Sequence, residues 1–241
     1  MLEERVKNIY NPDSSGNNFL FQLLGVKSVT VVPGGSDMPA EMEKVAEKLR
    51  SQGRKPYIVP GGASNTVGAL GYVSCGEEMF RQMFDMGLAV DHLVVPSGSG
   101  GTHSGILASV LGNNMRLPVT GIGVGRAKDA QRALVHGLTE QTLAYIGVDV
   151  AVRDEDVAVF DDYVGPGYSL PTPAMIEAVL MLARTESILL DPVYSGKAMS
   201  GLIDLARKDY FPKGANVLFL HTGGSPALFA YLDTFRNDPK F

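Results

Sequence analysis

The feature that most constrains this chain is its alternation of short apolar runs with amphipathic helical stretches, joined by glycine-rich turns. "KSVTVV" (27–32), "PYIVP" (56–60) and "HLVVP" (92–96) read as strands, as do "LPVTGIGVG" (117–125) and "NVLFLHTGG" (216–224), the last as a buried strand. Between them, "PAEMEKVAEKLRSQG" (39–53) places Met42, Val45, Ala46 and Leu49 at helical spacing, and Gly53 suits a helix stop. Residues 67–87, a stretch from about Thr102, and residues 127–147, 173–187 and 195–209 read as further helices. Strand, helix, strand at this spacing predicts an α/β fold with an open, mostly parallel sheet covered by helices.

Sheets of that kind bind ligands at the C-terminal ends of their strands. Glycine-rich loops leave strand ends at "SGSGGTH" (97–103), "GIGVGR" (121–126), "HTGGSP" (221–226) and "PGGASN" (60–65). Within "VVPSGSGGTHSGILASVL" (94–111) an apolar run stops at small residues and a helical pattern follows at once. Glycines let backbone approach a ligand closely, and the helix behind the turn directs free N–H groups at whatever sits there. That turn predicts a phosphate or carboxylate.

Composition and motifs narrow the ligand. The net charge of -5 offers no basic nucleic-acid surface, and a small-molecule ligand is expected. The single cysteine, Cys75, excludes a disulfide framework and a cysteine metal site, and no metal is expected. No apolar run reaches the roughly 18 residues of a membrane span, and the charged start "MLEERVKNIY" is no signal peptide, so a cytoplasmic setting is expected. A nucleoside-triphosphate loop needs Gly-Lys-Ser or Gly-Lys-Thr, but Gly196-Lys197 runs into Ala198. A dinucleotide fingerprint fails at His103 after Gly98-Ser99-Gly100, and at Arg126 after Gly121-Ile122-Gly123. What remains is a phosphate cup suited to a phosphate-bearing organic cofactor.

Four stretches carry a family resemblance: "VPSGSGGTHSG" (95–105), "DDYVGPGY" (161–168), "LLDPVYSGKAMSGLI" (189–203) and "LFLHTGGSPALFAY" (218–231). They resemble the D-cysteine desulfhydrase and 1-aminocyclopropane-1-carboxylate deaminase group of pyridoxal-phosphate enzymes, with the tryptophan synthase β-like fold (fold type II). Residues 35–65 also resemble the L-cysteate sulfo-lyase branch. The resemblance implies pyridoxal 5'-phosphate as cofactor, a small amino acid as substrate, and a homodimer in full-length members. It assigns the phosphate to Ser99, Gly100, Gly101 and Thr102, with Gly98 shaping the turn, and places Tyr168 and Tyr194 near the substrate as catalytic residues. Ser195 stands where deaminase members have a glutamate facing the pyridine nitrogen, and Thr222 is the other candidate partner of that nitrogen. A hydroxyl does not hold the nitrogen protonated as a carboxylate does, so the resemblance favours β-elimination from D-cysteine over ring opening.

The family's Schiff-base lysine lies in a Gly-Gly-Asn-Lys stretch, and none of the ten lysines here follows an asparagine. Lys197 matches a different family lysine, and His103 and His221 are expected to be supporting hydrogen-bonding residues. Since "LEERVKNIYNPDSSGNN" (2–18) resembles the middle of the family's small domain, residues 1–66 are expected to be the remainder of that domain and 67–241 the large cofactor-binding domain. An N-terminally truncated, inactive chain is the resulting expectation. The rival readings are a non-catalytic phosphate-binding protein and, on "GIGVGR", a nucleotide-binding oxidoreductase.

Overall fold

A computed structural model describes residues 1–5, 7 and 10–241. The chain forms two compact units, Met1–Ala63 and Ser64–Phe241. In the first, strands β1 (Leu2–Glu4) and β2 (Val31–Pro33) pair in parallel, with Leu2 opposite Val31. Helices α1 (Asn17–Leu23) and α2 (Met38–Ser51) complete it. The Asp37 carboxylate caps α2 by accepting from the Ala40 amide at 3.1 Å.

The second unit carries the parallel sheet. Its strands are β3 (His92–Ser97), β4 (Val119–Gly123), β5 (Ala158–Phe160) and β6 (Val217–Phe219), in the order β5-β4-β3-β6. The helices are α3 (Thr66–Asp85), α4 (Gly101–Gly112), α5 (Lys128–Tyr145), α6 (Pro173–Glu186), α7 (Ser195–Arg207) and the short α8 (Leu232–Arg236). Strand alternation sends successive residues of β3 to opposite faces. Leu93 and Val95 join a core with Ile106 and Leu107 of α4 and Val135 of α5, whereas Val94 packs with Ala198 and Leu205 of α7. The α6–α7 side adds Met175, Val179, Leu190 and Met199. Both faces of the sheet are thus covered, as its near-continuous apolar strands require.

Three sequence expectations need correction. Residues 56–60 form no strand: prolines at both ends remove amide donors, and Tyr57 and Val59 are exposed. The 27–32 strand shrinks to Val31–Pro33, the stretch that faces β1. The 216–224 strand is only half-buried, because β6 lies at the edge of the sheet with β3 as its neighbour. The short elements β1, α1 and β5 were not expected from the sequence. The units part between Ala63 and Ser64, where the sequence reading puts the division at 66/67. Ser64 bonds into the second unit, and Asn65 caps α3 by accepting from the Gly68 amide at 2.8 Å. No helix among the described residues is long and apolar enough to cross a membrane.

The close approach of α3 to α4 rests on Gly105. A Cβ there would lie 2.4 Å from the Ala69 carbonyl oxygen and 2.6 Å from Tyr72 Cβ. Backbone cannot yield as a flexible side-chain end can, so Gly105→Val should force the helices apart. The expected cost is about 1–3 kcal/mol of stability, read as a lower urea midpoint. A midpoint equal to the parent's would show that the two helices have room to spare.

Candidate functional site

The site is built at the C-terminal ends of β3 and β4. From β3 the chain passes through Gly98, Ser99 and Gly100 into α4, and Gly100 at φ +97° makes the corner. The positive φ favours glycine there, and a Cβ would also require the end of the Leu134 side chain, 2.3 Å away, to move. The turn is pinned from three sides. The Val124 amide donates to the Ser97 carbonyl at 3.1 Å, and Arg126 Nη1 donates to the Gly98 carbonyl at 2.7 Å. Ser64 Oγ accepts from the Gly101 amide at 3.1 Å and donates to Ser99 Oγ at 2.7 Å.

Beneath the turn lies a buried polar chain. Gln131 Nε2 donates to Ser97 Oγ at 2.9 Å, and Ser97 Oγ lies 3.0 Å from His103 Nδ1. Burial pushes His103 down to about 4, so the ring is neutral at pH 7. Ser97 Oγ thus joins Gln131 of α5 to His103 of α4. His103 therefore supports the turn from behind.

Tyr194 stands over the turn. A Cβ on Gly98 would lie 3.0 Å from Tyr194 Cε1 and 3.1 Å from Val124 Cγ2, a cradle that only a missing side chain leaves open. Tyr168 meets Tyr194 hydroxyl to hydroxyl, with the rings edge to face at 5.8 Å between centroids. The structure thus brings Gly98–Thr102, Tyr168 and Tyr194 together. The donor set of the turn fits a phosphate: the N-terminal amides of a twelve-residue helix, the hydroxyls of Ser99 and Thr102, and no carboxylate among residues 97–103.

Ser195, an expected partner of the ring nitrogen, is engaged by Asp191. Its hydroxyl donates to Asp191 Oδ1 at 2.7 Å and accepts from the Asp191 amide at 2.8 Å, and the residue is fully buried. Asp191 also accepts from the amides of Val193, Tyr194 and Ser195, capping α7. A contact from Ser195 to a ring nitrogen would have to coexist with both bonds. Thr222 follows β6 on the same end of the parallel sheet, half-buried, with no hydrogen bond among the described residues. His221 Nε2 lies 3.0 Å from the Leu189 carbonyl, and the Gly223 amide donates to His221 Nδ1 at 3.0 Å, a supporting role.

Lys197 is completely buried, and no carboxylate pairs with it among the described residues. Its ammonium donates to the carbonyls of Val164 and Gly167, each at 2.7 Å, and burial pushes its pKa down. Tyr231 donates to the Ser169 carbonyl at 2.6 Å. Together they clamp the loop that carries Tyr168. Sequence reasoning missed Ser64, Arg126, Gln131, Asp191 and Tyr231 as parts of the site's frame. "PGGASN" was the available signal for Ser64; an isolated arginine, glutamine or tyrosine carries none. Lys197→Met should leave two part-buried carbonyls without their donor, at up to about 1–3 kcal/mol each. Hydrogen exchange should then speed up selectively over residues 164–169; exchange unchanged in that segment would contradict the clamp.

The sequence pattern of the pyridoxal-phosphate dependent enzyme family matches residues 8–223. The chain is 36% identical over 228 residues to a 1-aminocyclopropane-1-carboxylate deaminase of Rhizobium radiobacter, covering 93% of this chain and 67% of the relative. It is 39% identical over 221 residues to a D-cysteine desulfhydrase of Yersinia enterocolitica, covering 90% of this chain and 65% of the relative. A crystal structure described as an ACC deaminase homologue superposes with a TM-score of 0.82 at 32% identity, over 94% of this chain and 67% of that one. A fungal L-serine ammonia-lyase from Rhizomucor miehei shares the fold at a TM-score of 0.58 and 18% identity, over 86% of this chain and 67% of that one. The chain therefore spans about two thirds of the length of these relatives and belongs to the pyridoxal-phosphate dependent enzymes of the tryptophan synthase β-like fold.

Proposed function

We propose that the turn Gly98–Thr102 holds the phosphate of pyridoxal 5'-phosphate and that the parent chemistry is α,β-elimination from a small amino acid such as D-cysteine. In that reaction the Cα proton leaves, the Cβ–S bond breaks and one water is consumed, giving pyruvate, ammonia and sulfide. The observation that carries the phosphate placement is the donor set of the turn. Ser99 and Thr102 supply hydroxyls, and amides of the first turn of α4 other than that of Gly101, which Ser64 accepts, supply the rest. Once bound, the pyridine ring supplies an electron sink for negative charge at Cα.

The chain's own groups then have distinct tasks. The paired phenols of Tyr168 and Tyr194 can give a proton at one oxygen and take one at the other, which suits binding a carboxylate or moving a proton beside Cα and Cβ. Lys197 holds the Tyr168 loop through two carbonyls. For the ring nitrogen, the Thr222 hydroxyl makes no hydrogen bond among the described residues and is free to donate or accept, whereas Ser195 already gives its proton to Asp191 and keeps one lone pair. A neutral hydroxyl partner leaves that nitrogen less firmly protonated than a carboxylate would, which supports elimination over the cyclopropane reaction. L-cysteate losing sulfite is the second substrate, supported by the resemblance of residues 35–65 to that branch. The proposal includes a cytoplasmic homodimer, as the resemblance implies.

The test is a fluorescence titration with pyridoxal 5'-phosphate. Gly100→Val puts a branched side chain at a positive φ and against Leu134, and should weaken binding at least tenfold. Thr102→Val removes one hydroxyl and should weaken it about tenfold or more, since hydrogen bonds to charged groups contribute about 1.5–3 kcal/mol. Parent-like affinity in both variants would move the phosphate elsewhere.

A further inference from the structure

We propose that Ser64 is a positioning residue of the phosphate turn: its hydroxyl, fixed by the Gly101 amide, donates to Ser99 Oγ and frees the Ser99 proton for the phosphate. The inference rests on the placement of the phosphate proposed above. It follows from counting protons. Ser64 Oγ accepts from the Gly101 amide at 3.1 Å, which leaves its own proton for another acceptor. That acceptor is Ser99 Oγ, at 2.7 Å. A serine hydroxyl has one proton and two lone pairs. With one lone pair of Ser99 filled by Ser64, the Ser99 proton has no acceptor among the described residues. The sequence of donors therefore runs from backbone to Ser64, from Ser64 to Ser99, and from Ser99 outward.

Three features make this more than a loop contact. The first donor is the opening amide of α4, whose partial positive charge polarises the hydroxyl it meets. Chains of hydrogen bonds strengthen one another where water is scarce, and Ser64 and Ser99 are both part-buried. Finally, Gly101 has no side chain where Ser64 enters: a Cβ there would lie 2.8 Å from Ser64 Oγ. Glycine at 101 is thereby explained by Ser64 as well as by the phosphate. In sequence terms, "PGGASN" (60–65) and "SGSGGTH" (97–103) are two parts of one device, with the first setting the direction of a donor in the second.

The test uses the full chain and compares pyridoxal 5'-phosphate with pyridoxal, by fluorescence titration, in the parent and in Ser64→Ala, Ser64→Thr, Ser99→Ala and the Ser64→Ala/Ser99→Ala double variant. Ser64→Ala should bind the phosphorylated ligand about tenfold more weakly, in line with one weakened charge-assisted hydrogen bond. Its affinity for pyridoxal should stay within about twofold, and Ser64→Thr should recover most of the loss, because the hydroxyl is what matters. Against Ser99→Ala, the Ser64 change should add less than about twofold, the signature of two residues acting through one bond. Parent-like affinity in Ser64→Ala would overturn the inference while leaving the phosphate turn intact. An equal loss for both ligands, or an undiminished loss in the Ser99→Ala background, would overturn it too, by making Ser64 merely structural. A parent chain that binds both ligands alike would instead remove the phosphate reading itself, and this inference with it.

Discussion

The site depends on one constraint: a buried parallel strand must deliver the chain into a helix whose N-terminus stays open to a ligand. β3 is covered on both faces, so its end cannot drift, and α4 begins four residues beyond Ser97. The corner needs a residue at φ +97°, a conformation glycine adopts freely. Amides at a helix start have no intrahelical acceptor. Here one is met by Ser64, and the turn brings the others to the end of the sheet beside Tyr194.

Around that corner the protein uses buried polar groups as fasteners. Asp191 gathers three amides and the Ser195 hydroxyl at the start of α7. Lys197, two residues further on, reaches two carbonyls of the loop leading to Tyr168. The His103–Ser97–Gln131 chain ties α4, β3 and α5 beneath the glycine turn. An unpaired buried polar group is costly, so each fastener holds only if its partners stay in place. The two phenols are consequently set by their supports: Tyr194 by the cap of α7, and Tyr168 by Lys197 and Tyr231. This gives Lys197 an anchoring role in the loop. A lysine held by two carbonyls at 2.7 Å is an anchor.

The legible part of this architecture is the part written in periodicity. α2, α3, α5, α6 and α7 fall close to the stretches where apolar residues recur at helical spacing, and β3 lies where "HLVVP" predicts it. Three-residue strands such as β1 and β5 carry too few positions for a pattern, and their pairing is decided by neighbours distant in sequence. "PYIVP" shows the opposite error: apolar composition without a partner strand makes no sheet. At the site, the glycine turn and the tyrosine motifs could be read directly. The direction of the Ser195 hydroxyl could not, because it depends on Asp191 four residues earlier folding back as a cap. Ser64, 35 residues before Ser99, is brought beside it only by the packing of α3 against α4.

The central claim is that the turn between β3 and α4 receives a phosphate. Amide chemical shifts of the isotopically labelled chain, followed by NMR as pyridoxal 5'-phosphate is added, test it most directly. The account predicts that the largest shifts fall on Ser99, Gly100, Gly101 and Thr102, saturating together, with smaller ones at Tyr194 and Tyr168. Saturable binding whose largest shifts lie elsewhere, with residues 99–102 unmoved, would contradict it.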